Sequence, residues 1–341
     1  MFEEPDQDEI LIQSTKEPLV EIFQHKGSSE CNIDLNDPLC NFEQLPYKDF
    51  RSKFQNDLSS SPDSSFVREA LGKGLLSQDR QSINPLKFGV IASTDTHLGT
   101  PGAVDESSFQ GHGGAGKSFR SSIPEGLPDD IEFNPGGLAV AWAEENSRSA
   151  IFDAFQRKEV YGTSGPRFIV RFFVGDNLDK NLCNNPDNIS YAYANATPMG
   201  GTIASDSLSQ PSIFISASAD SSIKDQFIEK LQVVKGVVRN GELLTTVHDV
   251  GVTNAQSKLD IANCEVTGSG EKAMCSVWND PNFNSSENAY YYVRVVANKS
   301  CRWSHNLCLQ NPEYCEADSD ASIPKVIQER AWTSPVWLET T

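Results

Sequence analysis

A carboxylate and an imidazole are separated by one residue in Ser93-Thr94-Asp95-Thr96-His97, which directly follows the apolar run at residues 87–92. In barrel-like α/β folds, the carboxyl ends of parallel strands carry the catalytic groups. Aspartate and histidine are both ligands suited to zinc, manganese or iron. Asp95 and His97 are therefore the leading metal-ligand candidates. An Asp-x-His pair also arises by chance, with the Asp capping a turn and the His on the surface.

Three further site candidates belong to the apolar segment at residues 17–24 and the loop after it. Glu21 lies within this segment, from which it could reach the metal or orient its ligands. His25 and Glu30 follow the segment into a loop that we expect on the same side as Asp95. For all three residues, ordinary polar contacts are the alternative interpretation.

Two residues are candidates for catalysis itself. His112 lies in Gly111-His112-Gly113-Gly114 of a long Gly-, Ser- and Pro-rich loop at residues 99–137, where it could contact substrate or transfer a proton. Arg167 ends Thr163-Ser164-Gly165-Pro166-Arg167 and could hold a substrate oxyanion. A flexible loop and a brace at a domain junction are the respective alternatives.

The first half of the chain has an α/β pattern. The apolar run at 87–92 does not alternate, as is typical of a strand covered on both faces in a parallel sheet. A second buried strand, adjacent and parallel to the first, is predicted at 17–24, and a helix is predicted at 65–76. The clearest helix is predicted at 146–158, with Asn146 as its N-cap. Strands, loops and helices therefore alternate up to about residue 166.

The second half is rich in predicted strands. Asn240-Gly241 lies between two apolar segments and is a strong hairpin signal. Further strands are predicted at 168–173, 259–266, 272–278 and 289–297. Short strands joined by turns indicate an antiparallel β-sandwich from residue 167 onward.

Charge limits the possible partners. The chain has 341 residues, with 28 Lys and Arg against 47 Asp and Glu, for a formal net charge of −19. Binding to nucleic acid or an anionic membrane needs clustered cations, so this balance argues against both. No run approaches the roughly 20 apolar residues of a membrane span. We therefore expect a small-molecule partner, and no sequence feature specifies an oligomeric state.

Eight cysteines favour disulfides and a periplasmic or extracellular location, because their number is even and the sequence is rich in loops. A turn at Gly268-Ser269-Gly270 would place Cys264 opposite Cys275, and these two form the first predicted pair. The next predicted pairs are Cys31–Cys40 and a pair within the set Cys301, Cys308 and Cys315. A zinc site built from cysteines is the alternative.

Four blocks, in order and spanning nearly the whole chain, resemble the family called domain of unknown function 3604, which is related to PHP (polymerase and histidinol phosphatase) domains. The blocks are residues 21–30, 93–104, 136–167 and 329–337. They include Trp142-Ala-Glu-Glu-Asn and Val160-Tyr-Gly-Thr-Ser-Gly-Pro-Arg167. A strand followed by Ser-x-Asp-x-His also looks like the last metal-binding motif of PHP-type phosphoesterases.

The resemblance implies that residues 1–166 are the carboxyl-terminal part of a PHP-type (β/α) barrel. Residues 167–341 would then form the sandwich and a tail that returns to the barrel. PHP enzymes begin with a His-x-His pair, which this sequence lacks. The acidic residues 1–9 also lack the apolar core of a signal peptide. The chain is therefore expected to be a fragment of a longer protein with a partial metal site, inactive in isolation. The alternative is a natural remnant that has lost half of the site.

The predicted function is metal-dependent hydrolysis. Two or three divalent ions, with Asp95, His97, Glu21 and His25 among their ligands, would activate water for attack on a phosphate or related ester. The alternative is a noncatalytic binding or structural protein, in which the barrel remnant supports the sandwich. A His-x-His pair encoded upstream in the same frame would favour the enzyme.

Overall fold

The computed structural model describes residues 12, 14–33, 37–44, 66–96, 99–109, 133–253, 257–310, 312 and 324–340. The helices in these ranges are α1 (Val67–Gln81), α2 (Arg148–Gln156), α3 (Asn188–Asn195) and α4 (Trp303–Gln310), with 3-10 turns at Pro38–Asn41, Leu182–Asn184 and Ser205–Ser207. None of these described helices is long and apolar enough to cross a bilayer.

The strands follow one another in the order β1 (Leu19–Gln24), β2 (Gly27–Ser28), β3 (Gly89–Ala92), β4 (Leu138–Ala141), β5 (Val160–Thr163), β6 (Ile169–Asp176), β7 (Ala196–Pro198), β8 (Thr202–Ala204), β9 (Pro211–Ser218), β10 (Ile228–Arg239), β11 (Glu242–Val252), β12 (Lys258–Asp260), β13 (Glu265–Thr267), β14 (Ala273–Asn279), β15 (Ala289–Ala297), β16 (Ser300–Cys301), β17 (Val326–Ile327), β18 (Arg330–Thr333) and β19 (Val336–Glu339).

Two antiparallel sheets provide most of the core. The larger has the order β11-β10-β15-β18-β5-β4, with β19 beside β15 and β8 beside β19, and the smaller has the order β14-β9-β6-β7. Their apolar faces share one cluster that includes Phe172, Ile215, Val233 and Val293. The predicted hairpin joins β10 to β11, and Asn240 and Gly241 both have positive φ, as a tight hairpin turn requires.

The predicted parallel pair near the amino terminus is confirmed. β1 and β3 pair in parallel, with Leu19 opposite Gly89 and Val20 opposite Val90. They form a small sheet with β2, which is antiparallel to β1. Apolar side chains of this small sheet pack with α1 against one face of the larger sheet.

The predicted (β/α) barrel is wrong. In a barrel, the helix at 146–158 would cross between parallel strands. Here α2 connects β4 to β5, which are antiparallel, and β5 is also antiparallel to β18. In the described parts of the chain, the parallel pairs are β1–β3 and β8–β19. Of the apolar residues of α2, Ala154 is buried, whereas Phe152 is 58% exposed. Ser147, not Asn146, caps this helix through a hydrogen bond from Ala150 N.

The strand β5 lies close to β3 as well as to the large sheet. A β-carbon on Gly162 would lie 2.9 Å from Ala92 N, so only glycine permits this approach. The Ser334 hydroxyl joins the two strands at their other end, since it accepts from Val90 N and donates to Val160 O. β3 and β5 therefore run in the same direction, and their carboxyl ends lie at the same side of the molecule.

The disulfides only partly match prediction. Cys31–Cys40 is confirmed, with Cα atoms 5.3 Å apart. The predicted Cys264–Cys275 pair is wrong, because Cys264 bonds to Cys301 and Cys275 to Cys183. The reason is that β14 pairs with β9, whereas Cys264 lies in the turn between β12 and β13. These three bonds between described cysteines are compatible with an oxidising compartment, and Cys308 is also disulfide-bonded.

A buried charge cluster joins the small sheet to the large one. Glu30 Oε1 lies 2.7 Å from Arg68 Nη2 and 2.9 Å from Arg294 Nη1, and its Oε2 accepts from Trp332 Nε1. Asp37 bonds to the same two arginines at 3.0 Å. We call this set, with Arg330 and Tyr292, the Glu30 cluster. Both carboxylate oxygens of the predicted candidate Glu30 are therefore bonded to side chains that join the two sheets.

Candidate functional site

His25 and Asp95 meet at the carboxyl ends of β1 and β3. His25 Nδ1 lies 3.5 Å from Asp95 Oδ2 and 3.3 Å from Thr94 O. The imidazole is 8% exposed and packs edge-on against Phe133. Parallel pairing explains the meeting, since it aligns the residues that follow the two strands. Two of the predicted site residues are therefore brought together.

The backbone around Asp95 has an unusual conformation. Asp95 has φ of +51°, in the left-handed region that non-glycine residues rarely adopt. Gly136 packs beneath the preceding residue, where a β-carbon would lie 2.6 Å from Thr94 Cα. Left-handed backbone at a residue with a β-carbon costs free energy and is concentrated at functional sites. The turn aims the Asp95 carboxylate toward His25 while leaving it 44% exposed.

Glu21 forms hydrogen bonds with two neighbouring side chains. Its Oε1 accepts from the Ser93 hydroxyl and its Oε2 from Gln24 Nε2 at 2.9 Å. Both oxygens therefore brace the ends of β1 and β3. Within the described residues, no group of three potential ligands includes the His25–Asp95 pair. His97 and His112 lie outside the described residues.

The His25–Asp95 pair fits a divalent cation. Two ligands at about 2.0–2.1 Å on a tetrahedral ion are separated by roughly 3.3–3.4 Å, close to the 3.5 Å between Nδ1 and Oδ2. If Nδ1 instead carries a proton for Thr94 O, Nε2 is the ring nitrogen left to bind metal. Two other groupings in the described chain, Cys31–Asp37–Cys40 and Cys264–Cys301–His305, contain disulfide-bonded cysteines. Their sulfur atoms are not thiolate ligands.

A cleft of about 910 Å³ opens beyond β3 and β5. The cleft wall includes Thr100 and Val104, on the segment after Asp95, and Gly165 and Arg167, on the segment after β5. Arg167 is fixed through its backbone, because its N–H donates to Asp220 Oδ2 at 2.7 Å. Arg167 is exposed, it is the predicted anion-binding residue, and it lines a space large enough for a small molecule.

Sequence reasoning missed two carboxyls on the cleft wall, Glu106 and Glu329. Burial raises the pKa of Glu106 to about 8, with Glu43 and Asp105 adding repulsion and Arg302 opposing it. Burial also holds the pKa of Glu329 well above its usual range, and the charge of Glu106 contributes next. Glu329 precedes the apolar Ala331-Trp332, and a charge next to a buried strand was the one available signal.

Residues 2–340 match the family described as Protein of unknown function (DUF3604). The chain belongs to DUF3604. No curated protein and no solved structure matches this DUF3604 chain. The family description specifies no activity, so a functional argument rests on the residues at the carboxyl ends of β1, β3 and β5.

Proposed function

We propose that this DUF3604 chain contributes to a metal-dependent hydrolase that acts on a phosphate or related ester. The observation that carries the proposal is the approach of His25 Nδ1 to Asp95 Oδ2 at 3.5 Å, at the carboxyl ends of two parallel strands. The resemblance of the Ser93–His97 motif to PHP-type phosphoesterases supports the same chemistry.

The proposed roles follow from position. His25 and Asp95 would hold a divalent ion of the zinc, manganese or iron class, and His97 would add a ligand. Such an ion supplies Lewis acidity and lowers the pKa of water. Glu21 would position the strand ends through Ser93 and Gln24.

Arg167 would bind the anionic part of the ester from the cleft wall. An arginine presents several N–H donors in one plane and suits phosphate or carboxylate oxygens. Its neighbours Asp220 and Ser222 hold the loop in place, since Asp220 also accepts from Ser222. His112 remains a predicted proton-transfer group.

The test is Mn²⁺ binding followed by electron paramagnetic resonance, on the wild type and on the His25→Gln and Asp95→Asn variants. Asparagine tolerates left-handed backbone, so Asp95→Asn removes the charge while keeping the turn. We expect each variant to weaken Mn²⁺ binding at least about tenfold. His248→Gln, on β11 of the large sheet, is the control and should bind as the wild type does.

Hydrolysis of p-nitrophenyl phosphate and of a p-nitrophenyl carboxylate, with Mn²⁺ present, tests the reaction. Activity that falls in both site variants and not in the control supports the proposal. Unchanged Mn²⁺ binding in both variants would refute it. Metal binding at His25 and Asp95 without hydrolysis of any ester, by this chain and by the product of the complete gene, would favour the noncatalytic alternative.

A further inference from the structure

The wall of the cleft contains two buried carboxyls from distant parts of the chain. Glu106 lies on the segment that leaves β3, and Glu329 immediately precedes β18. Glu329 is only 3% exposed, yet it lines the cleft. The charge of Glu106 is the largest influence on the pKa of Glu329 after burial, so the two groups are neighbours.

Each carboxyl has one oxygen satisfied and one oxygen without a partner. Glu106 Oε2 accepts from Trp303 N, and Glu329 Oε2 accepts from the Ser164 hydroxyl. Among the described residues, no hydrogen-bond donor reaches the buried Oε1 atom of either one. A buried acceptor without a donor costs roughly 1–3 kcal/mol, so both oxygens favour a ligand that donates hydrogen bonds.

The charges around the pair leave an excess of acid. The groups that act on Glu106 and Glu329 are Glu43, Asp105, Arg302 and Arg330. Arg302 is already paired with Glu43, with Nη2 3.1 Å from Oε2, and Arg330 is part of the Glu30 cluster. Around the rest of the cleft, Asp220, Asp225 and Glu265 outnumber the cations Arg167 and Lys224.

We propose that the cleft binds an amine-bearing cation, whose ammonium group lies between Glu106 and Glu329 and donates to their two unpartnered oxygens. An ammonium group has three donors and no acceptor, which matches two such acceptors. A metal ion fits less well, because no three carboxylates of the described chain converge there. The acidic cleft and the net charge of −19 both attract a cation. The site is independent of the proposed hydrolysis.

Binding must be linked to proton release. With a pKa of about 8, Glu106 is mostly protonated at neutral pH in the unliganded protein. The ammonium group favours the ionised carboxyl, so a proton leaves as the ligand enters. Affinity should therefore rise with pH between 6 and 8, by at most about tenfold per pH unit for one proton.

Isothermal titration calorimetry with three four-carbon probes tests the proposal. The probes are 1,4-diaminobutane, its neutral analogue 1,4-butanediol and the anion succinate. We expect diaminobutane to bind at least about tenfold more tightly than butanediol, and succinate not to bind. Titrations in HEPES and Tris, whose ionisation enthalpies differ, should reveal a proton released on binding.

The variants Glu106→Gln and Glu329→Gln should each weaken diaminobutane binding at least about tenfold, and each should reduce the proton release. Glu265→Gln removes an exposed charge from the same cleft and should change affinity less than about twofold. Asp95→Asn should leave diaminobutane binding unchanged, which separates this site from the metal site. Near-ultraviolet circular dichroism confirms folding.

Three outcomes would overturn the proposal. The first is butanediol binding as tightly as diaminobutane. The second is unchanged affinity in both Glu106→Gln and Glu329→Gln. The third is displacement of diaminobutane by Ca²⁺ alone at lower concentration, lost in Glu106→Gln, which would make the pair a metal site.

Discussion

The Glu30 cluster and the Glu106–Glu329 pair both contain carboxylate oxygens shielded from solvent, but the surrounding charges shift their pKa values in opposite directions. Burial alone would raise the pKa of Glu30, but Arg294, Arg68 and Arg330 hold it well below its usual range. The pKa of Glu106 is raised to about 8, because burial meets too little positive charge. The number of nearby guanidinium groups therefore distinguishes Glu30, a structural carboxylate, from Glu106, whose carboxyl is left open to a ligand.

The largest effect is expected at the Glu30 cluster. Glu30→Gln leaves three buried arginines facing one carboxylate, and breaking a buried ion pair typically costs about 3–5 kcal/mol of unfolding free energy. Urea unfolding at pH 7 measures the loss. Asp249→Asn, in an exposed pair with Lys230, is the control and should change stability by no more than about 0.5 kcal/mol. If Glu30→Gln and Asp249→Asn lowered the free energy of unfolding equally, the Glu30 cluster would contribute no more to stability than an exposed ion pair.

The Cys31–Cys40 disulfide should stabilise the same region. It closes a short loop, with a sequence separation of 9, that contains Asp37. Chain entropy predicts a loss of roughly 2–3 kcal/mol when both cysteines become serine. Thermal unfolding of the double variant measures it. If the loss is negligible, the ion pairs of Asp37 alone hold this loop.

The Glu106 carboxyl should lower the free energy of unfolding as the pH rises. Glu106 has a pKa of about 4.5 in the unfolded chain and about 8 in the folded one, so the folded state binds the extra proton. Its ionisation therefore destabilises the fold from pH 5 upward. We expect Glu106→Gln to match wild type at pH 5 and to be more stable by about 2 kcal/mol at pH 8, a value reduced for partial solvent access. A series of urea titrations across this range measures the difference.

Glu30 should have the opposite pH dependence. Its lowered pKa stabilises the fold above its unfolded value of about 4.5, and this contribution is lost as pH falls through the folded value. The same urea series extended to acid tests it. Parallel pH profiles for Glu30→Gln and Glu106→Gln would contradict the comparison.

The smallest effect on stability is expected at the proposed metal site. Asp95 is 44% exposed, and asparagine accepts its left-handed backbone. Asp95→Asn should therefore change unfolding free energy by less than about 0.5 kcal/mol without added metal. Differential scanning calorimetry checks this. A large loss would assign Asp95 a structural role.

Local patterns in the sequence identified the elements that depend on nearby residues. The Asn240-Gly241 hairpin follows from turn chemistry, and the parallel β1–β3 pair follows from two apolar runs. The barrel failed because the apolar stripe of α2 does not reveal that the strands on either side are antiparallel. The other neighbour of β5 in the sheet is β18, far along the chain.

Residues of the candidate site could likewise be predicted only where a local sequence pattern marks them. His25 and Asp95 were found because each follows a recognisable strand. Glu106 and Glu329 were not, since their environment depends on partners such as Trp303 and Ser164 that are remote in sequence. No periodicity tells whether a buried glutamate will meet arginines or face an open cleft.

The position of β18 in the large sheet affects how the protein can be made. β18 separates β15 from β5, so β4 and β5 cannot join the sheet before residues 330–333 have left the ribosome. Until then β5 exposes an unpaired edge that can pair with other chains. Such late, long-range closure slows folding. A nascent chain of this protein is therefore expected to depend on chaperones until β18 is synthesised.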